Sequence, residues 1–200
     1  MIYNRFVTFL LLVIFSIQSQ SAEPLDVVTT IKPIHSILSG LMVGTTPPTL
    51  LIDGQQTPYR YQLSPQQQNK ILQADLVVWV GPELETFMSA PLQQLTSKTT
   101  VLTLLDNEEI KVLPSRWNEN KRDPFFWLDS RNVIILADEL ARALMRIDPD
   151  RRHLYERNRH QLLTRLAKLD RRLEYGYRGL KSGIGMAYYD TLQYFEQAYA

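Results

Sequence analysis

Asp75 to Gly81, DLVVWVG, constrains the fold more than any other stretch. Its uninterrupted apolar run, from Leu76 to Val80, cannot leave either face of a strand in water. Such a run belongs in a sheet covered on both sides, the condition of parallel strands flanked by helices. Three further stretches read the same way: Leu25–Ile31 between Pro24 and Pro33, Thr49–Ile52 before the turn Asp53-Gly54, and Thr99–Leu105. Helical spacing lies between them. Ile34, Ile37, Leu38, Leu41 and Met42 share one face and stop at Gly44. Ser64-Pro65 starts a second helix, because serine caps and proline is tolerated in a first turn. A third helix is predicted over Glu83–Leu95, and Asn107–Asp123 reads as a polar loop. Asp129–Ile147 carries Val133, Ile134, Leu136, Ala137, Leu140 and Leu144 at amphipathic spacing. This alternation gives an α/β lobe with a parallel sheet, expected over residues 23–148.

Beyond Asp148-Pro149 the texture changes. Leu154, Leu162, Leu166, Leu169, Leu173 and Tyr177 recur at helical intervals through charged sequence, predicting one linking helix within residues 149–180. Its basic residues outnumber Glu156 and Asp170, but the apolar face is built of plain leucines. That favours a solvated face on a structural helix over a membrane-surface element. Residues 181–200 read as a short strand into Tyr188 and the start of a helix. They are expected to begin a second, incomplete α/β lobe.

The N-terminus is set apart. Arg5 precedes an apolar run from Phe6 to Ile17, too short to span a bilayer, and SQSA supplies small residues for cleavage after Ser21 or Ala22. Residues 1–22 are therefore expected to be a signal peptide, leaving a periplasmic chain with no stable membrane insertion. A net charge of +1 disfavours nucleic acid as a partner. The chain has no cysteine, hence no disulfide, thiolate site or lipid-anchored cysteine.

Catalytic signatures are missing: there is no Gly-rich phosphate loop, no GxSxG and no HExxH. Of three histidines, His35 falls in the first helix, while His153 and His160 lie two turns apart on the charged one. A zinc site needs three or four ligands converging at about 2 Å, which this spacing does not supply. The acidic pairs Glu83/Glu85 and Asp138/Glu139 read as surface charge. The residues support no enzyme.

Four segments, taken together, resemble the zinc- and manganese-type periplasmic solute-binding proteins of ABC importers. They are VVTTIKPIHSIL; PYRYQLSPQQQNKILQADLVVWVGPELETFM, similar to a Pro-His-x-Tyr-x-Leu-x-Pro-Ser segment; DPFFWLDSRNVIILADELARALMRIDP, similar to Asp-Pro-His-x-Trp-Leu-Asp-Pro; and AYYDTLQYFEQAYA, similar to Phe-His-Asp-Ala-Tyr-x-Tyr-Phe. The resemblance implies two α/β lobes joined by one long helix, an interlobe metal cleft, and an importer permease as partner. It also implies zinc or manganese as cargo. Yet its three histidine positions fall here on Tyr59, Phe125 and Tyr189, a fourth ligand would lie past residue 200, and the His-rich loop of many zinc members is replaced by NEEIKVLPSRWNENKRD. Neutral imidazole donates a lone pair, whereas tyrosine must first lose a proton near pH 10 and phenylalanine cannot ligate. No metal ligand of the implied set is intact, so metal capture is expected to be impaired or lost. The three aromatics are expected to fill the vacated space as a small apolar cluster, within a framework of Pro82, Glu83, Asp123, Pro124, Trp127 and Leu128. The residues leave open a non-metal binding or interaction module docking on an importer or another receptor, an inactive relic, and a receptor for ferric iron or haem through Tyr59 and Tyr189.

Overall fold

A computed structural model describes residues 23–179 and 187–199. The expected signal peptide, and most of the strand expected before Tyr188, lie outside the described residues. The DLVVWVG run supplies β3 (Leu76–Trp79), every residue of it buried. β3 sits inside a parallel sheet with β1 (Val27–Thr29), β2 (Thr49–Leu50) and β4 (Thr100–Thr103), in the order β2-β1-β3-β4. Val77 stands beside Val28 on one side and Val101 on the other. β1 and β3 are buried throughout, while the edge strands β2 and β4 are only partly covered.

The chain leaves β1 for the β2 edge and then crosses back to β3. The switch point therefore falls between β1 and β3, and the crevice beyond their carboxyl ends is where open α/β sheets hold ligands.

Helix α1 (Lys32–Leu41) buries Ile34, Leu38 and Leu41 and ends before Gly44, whose φ of +87° suits glycine. Helix α2 (Pro65–Gln73) opens with a reciprocal cap. The Ser64 hydroxyl accepts from the Gln67 amide at 3.3 Å, and Gln67 Oε1 accepts from the Ser64 amide at 2.9 Å.

The helix predicted over Glu83–Leu95 is not continuous. A 3₁₀ turn at Thr86–Met88 runs into the four-residue α3 (Ser89–Leu92). The cause is Glu85, which stands outside helical geometry (φ −124°, ψ 57°) because its carboxylate turns inward to backbone amides. The segment read as a loop likewise holds a hairpin, β5 (Pro114–Ser115) against β6 (Asn118–Arg122). Four of the five β6 residues are exposed, so no apolar alternation marks it.

Helix α4 (Ser130–Ile147) is capped by the Asp129 carboxylate, which accepts from the Arg131 amide at 2.9 Å. The expected linking helix is α5 (Arg152–Tyr177), 26 residues long and packed along α4 and α1. Asn158 fixes its position by donating to the carbonyls of Leu41 and Val43, both at 2.8 Å, satisfying the open end of α1.

The last described segment returns to the first lobe through α6 (Gln193–Tyr199). Buried Tyr194 accepts from the Leu113 amide at 2.8 Å and donates to the Asp123 carbonyl at 2.9 Å. Arg116 in the hairpin turn bridges Asp190 and Glu196. Tyr199 meets Ser130 and Asp170, tying α6 to α4 and α5.

Candidate functional site

Thr57–Arg60 forms one tight turn after β2: the Thr57 hydroxyl accepts from the Tyr59 amide at 3.4 Å, and Pro58–Arg60 is 3₁₀. The next residues anchor it. Tyr61 donates its phenol proton to the Leu51 carbonyl at 3.0 Å, and the Gln67 amide donates at 2.7 Å to both that carbonyl and the Tyr61 oxygen. The Tyr61 ring also meets Phe87, with centroids 5.3 Å apart. Tyr59 is thus held at the carboxyl end of the sheet, yet 40% of it remains exposed.

Phe125 is placed by a different device. The Asp123 carboxylate accepts from its amide at 2.9 Å, closing a short turn, and its ring lies edge-on to Trp127 at 5.6 Å. Tyr189 arrives from the C-terminal segment, which Tyr194 and Arg116 hold against this same region. These three sequence positions, far apart in the chain, line one cleft of about 520 Å³ together with Thr57, Arg60 and Thr191. Leu84 forms part of its wall.

The expectation that the three rings fill the vacated space as a small apolar cluster is corrected here. Tyr189 is 63% exposed, and among the described residues none of the three rings stacks on another. The backbone turns hold the rings apart around open space, so they line a cleft and do not fill it.

Electrostatics keep the Tyr59 phenol neutral. Burial raises the Tyr59 pKa, and neighbouring Tyr189 and Asp123 raise it further, so its phenol stays protonated at neutral pH. Asp123 is also raised, chiefly by burial; the Phe125 amide opposes this, the Asp190 charge adds to it and Arg116 counters it.

Other residues fall elsewhere. His35 sits within hydrogen-bond distance of the Pro48 carbonyl (3.1 Å) and the Ser39 hydroxyl (3.4 Å), a satisfied histidine. His153 and His160 lie exposed on α5, away from the cleft. Among the described residues no three His, Asp or Glu side chains are placed to hold a metal ion.

The reading of the acidic pairs as surface charge is also corrected. Glu85 is fully buried; its Oε2 accepts from the amides of Val80 (2.7 Å) and Gly81 (3.3 Å), and burial pushes its pKa to about 7 against the pull of Thr30 and these amides. Glu83 takes the Arg122 guanidinium in a two-pronged ion pair. Asp138 and Glu139 are half-buried partners of Arg159 and Arg142. Sequence reasoning missed the roles of Glu85 and Tyr194. Only Glu85 carried a signal, the Gly81-Pro82 turn before it, where Gly81 adopts φ +149°.

Residues 27–200 match the profile of the family described as zinc-uptake complex component A, periplasmic (ZnuA). The chain belongs to the ZnuA family. It is similar to the high-affinity zinc uptake system protein ZnuA of Brucella abortus (strain 2308), at 27% identity over 90% of this chain and 66% of that protein. It is also similar to the manganese ABC transporter substrate-binding lipoprotein PsaA of Streptococcus pneumoniae, at 27% identity over 90% of this chain and 60% of the relative. The chain thus spans less than two thirds of the length of these relatives. Among solved structures, the Zn(II)-bound ZnuA-like domain of Streptococcus pneumoniae AdcA superposes with a TM-score of 0.78 at 24% identity, over 88% of this chain and 64% of that one. A crystal structure of ZnuA gives 0.79 at 23%, over 88% and 68%. These superpositions establish the ZnuA-like α/β fold with its long helix. No described helix is long and apolar enough to cross a membrane.

Proposed function

We propose that this chain is a solute-binding component in the lineage of zinc and manganese ABC importers, in which the cargo cleft is retained and high-affinity metal capture is lost. It would work in the periplasm, presenting cargo to an importer permease, and would bind rather than catalyse. One observation carries the reading: Tyr59, Phe125 and Tyr189, the positions where the family resemblance puts histidines, converge on a single cleft without one imidazole among them. A phenol held protonated and a benzyl ring offer zinc no lone pair comparable to imidazole.

Calorimetric titration of the purified chain with zinc and with manganese tests it. The expected result is no one-to-one binding at submicromolar concentration. Submicromolar one-to-one binding that a Tyr59→Phe substitution abolishes would overturn the proposal. The ferric or haem reading needs phenolates, which the raised pKa of Tyr59 disfavours. It predicts a visible phenolate band on iron loading, where we expect a colourless protein.

A further inference from the structure

The Tyr59, Phe125 and Tyr189 rings surround open space and do not stack on one another, and each presents a π-face or edge that no other group of the three covers. Aromatic faces carry negative potential and attract cations, most strongly ones that shed water easily, as methylated ammonium groups do. The Asp123 carboxylate stands behind Phe125, 5% exposed and close enough to Tyr59 to act on it electrostatically, so the cleft is backed by negative charge. Of the described residues lining the cleft, only Arg60 is charged, and its guanidinium makes no hydrogen bond or ion pair among the described residues. A free cation at the rim of an aromatic enclosure opposes a purely cationic ligand. It suits one that also carries a carboxylate, which a guanidinium grips strongly. The Thr57 and Thr191 hydroxyls, on the same wall, provide neutral hydrogen-bond partners. A volume of about 520 Å³ lies in the range of small-molecule sites, about 300–1,000 Å³.

We infer that this cleft binds a small zwitterion bearing a methylated ammonium group and a carboxylate. The ammonium sits among Tyr59, Phe125 and Tyr189, and the carboxylate meets Arg60. The inference rests on the reading of this cleft as a cargo site that no longer takes metal.

Calorimetry on the purified full chain with glycine betaine, and in parallel with choline, tests it, with intrinsic tryptophan fluorescence as a second readout because Trp127 contacts Phe125 edge-on. Saturable one-to-one binding of glycine betaine is expected. Phe125→Leu, which keeps bulk and removes the π-face, should weaken it about three- to thirty-fold, and Tyr59→Ala similarly. Tyr59→Phe keeps the ring and should stay within about two-fold. Arg60→Ala should weaken glycine betaine about ten-fold and leave choline unchanged or tighter. Absence of saturable binding by a chain with a folded circular dichroism spectrum overturns the inference. So does binding indifferent to Phe125→Leu, or glycine betaine binding indifferent to Arg60→Ala. A chain that binds neither zinc nor glycine betaine defeats this inference alone, whereas submicromolar zinc binding lost in Tyr59→Phe defeats the functional proposal beneath it.

Discussion

Two pairs of tyrosines, one member of each pair in each of two segments, divide the molecule. Tyr61 and Tyr194 are locked: one phenol is shared between the Leu51 carbonyl and the Gln67 amide, the other between the Leu113 amide and the Asp123 carbonyl. Tyr59 and Tyr189 belong to the same two segments, but among the described residues the Tyr59 phenol makes no hydrogen bond, and Tyr189 is largely exposed. The locked pair holds backbone in place, and the open pair lines the cleft. A buried phenol that satisfies a backbone amide and a carbonyl cannot be altered without orphaning polar groups, whereas an exposed phenol can be replaced at little cost. The lining of the cleft can therefore change at little cost in stability, while the loops presenting it are held by contacts the fold requires.

The largest test of this contrast is Tyr194→Ala. Losing a ring that is 1% exposed, together with both of its hydrogen bonds, should cost about 4 kcal/mol in urea unfolding. Proteolysis should begin around residues 187–199, which that ring helps hold against the first lobe. An unfolding midpoint within error of the parent would break the comparison.

Next comes Glu85, the buried residue that follows Leu84 of the cleft wall. Its pKa rises in the folded chain from the ordinary 4.5 to about 7. An acid raised on folding favours the native state while protonated. Its contribution is fully present below about pH 4.5 and is lost as pH climbs through 7. The difference corresponds to an upper limit of about 3 kcal/mol. Unfolding free energy should therefore fall between pH 5 and pH 8, and Glu85→Gln should flatten that slope, since the amide oxygen can still accept from Val80 and Gly81. An unchanged slope in the variant would assign the pH dependence to other groups.

Burial also explains what could be read from the sequence. β1 and β3, buried on both faces, announce themselves as apolar runs, and the leucine spacing of α5 marks a helix without any tertiary knowledge. β6 was illegible because its side chains face water and its pairing is a backbone matter. The Glu83–Leu95 segment misled because its spacing is helical, while a single carboxylate, Glu85, captures the amides at the end of β3 and breaks the helix. At the site, Tyr59, Phe125 and Tyr189 could be picked out by motif, and the structure brings them together. Their openness could not be foreseen, because it depends on turns closed by Asp123 and Thr57, which no periodicity records.

The smallest effects decide the comparison within one segment. Tyr61→Phe removes a hydroxyl that both donates to the Leu51 carbonyl and accepts from Gln67. Gln67 keeps its own 2.7 Å bond to that carbonyl, so the group is not left bare, and the loss should be about 1 kcal/mol. Tyr59→Phe removes a hydroxyl with no hydrogen-bond partner among the described residues and should change stability by less than about 0.5 kcal/mol. Measured side by side in urea, the two identical substitutions, two residues apart, should differ by more than their error. Equal losses would mean that the Tyr59 phenol also supports the loop. The division between a locked and an open tyrosine would then fail at the position where it matters for cargo.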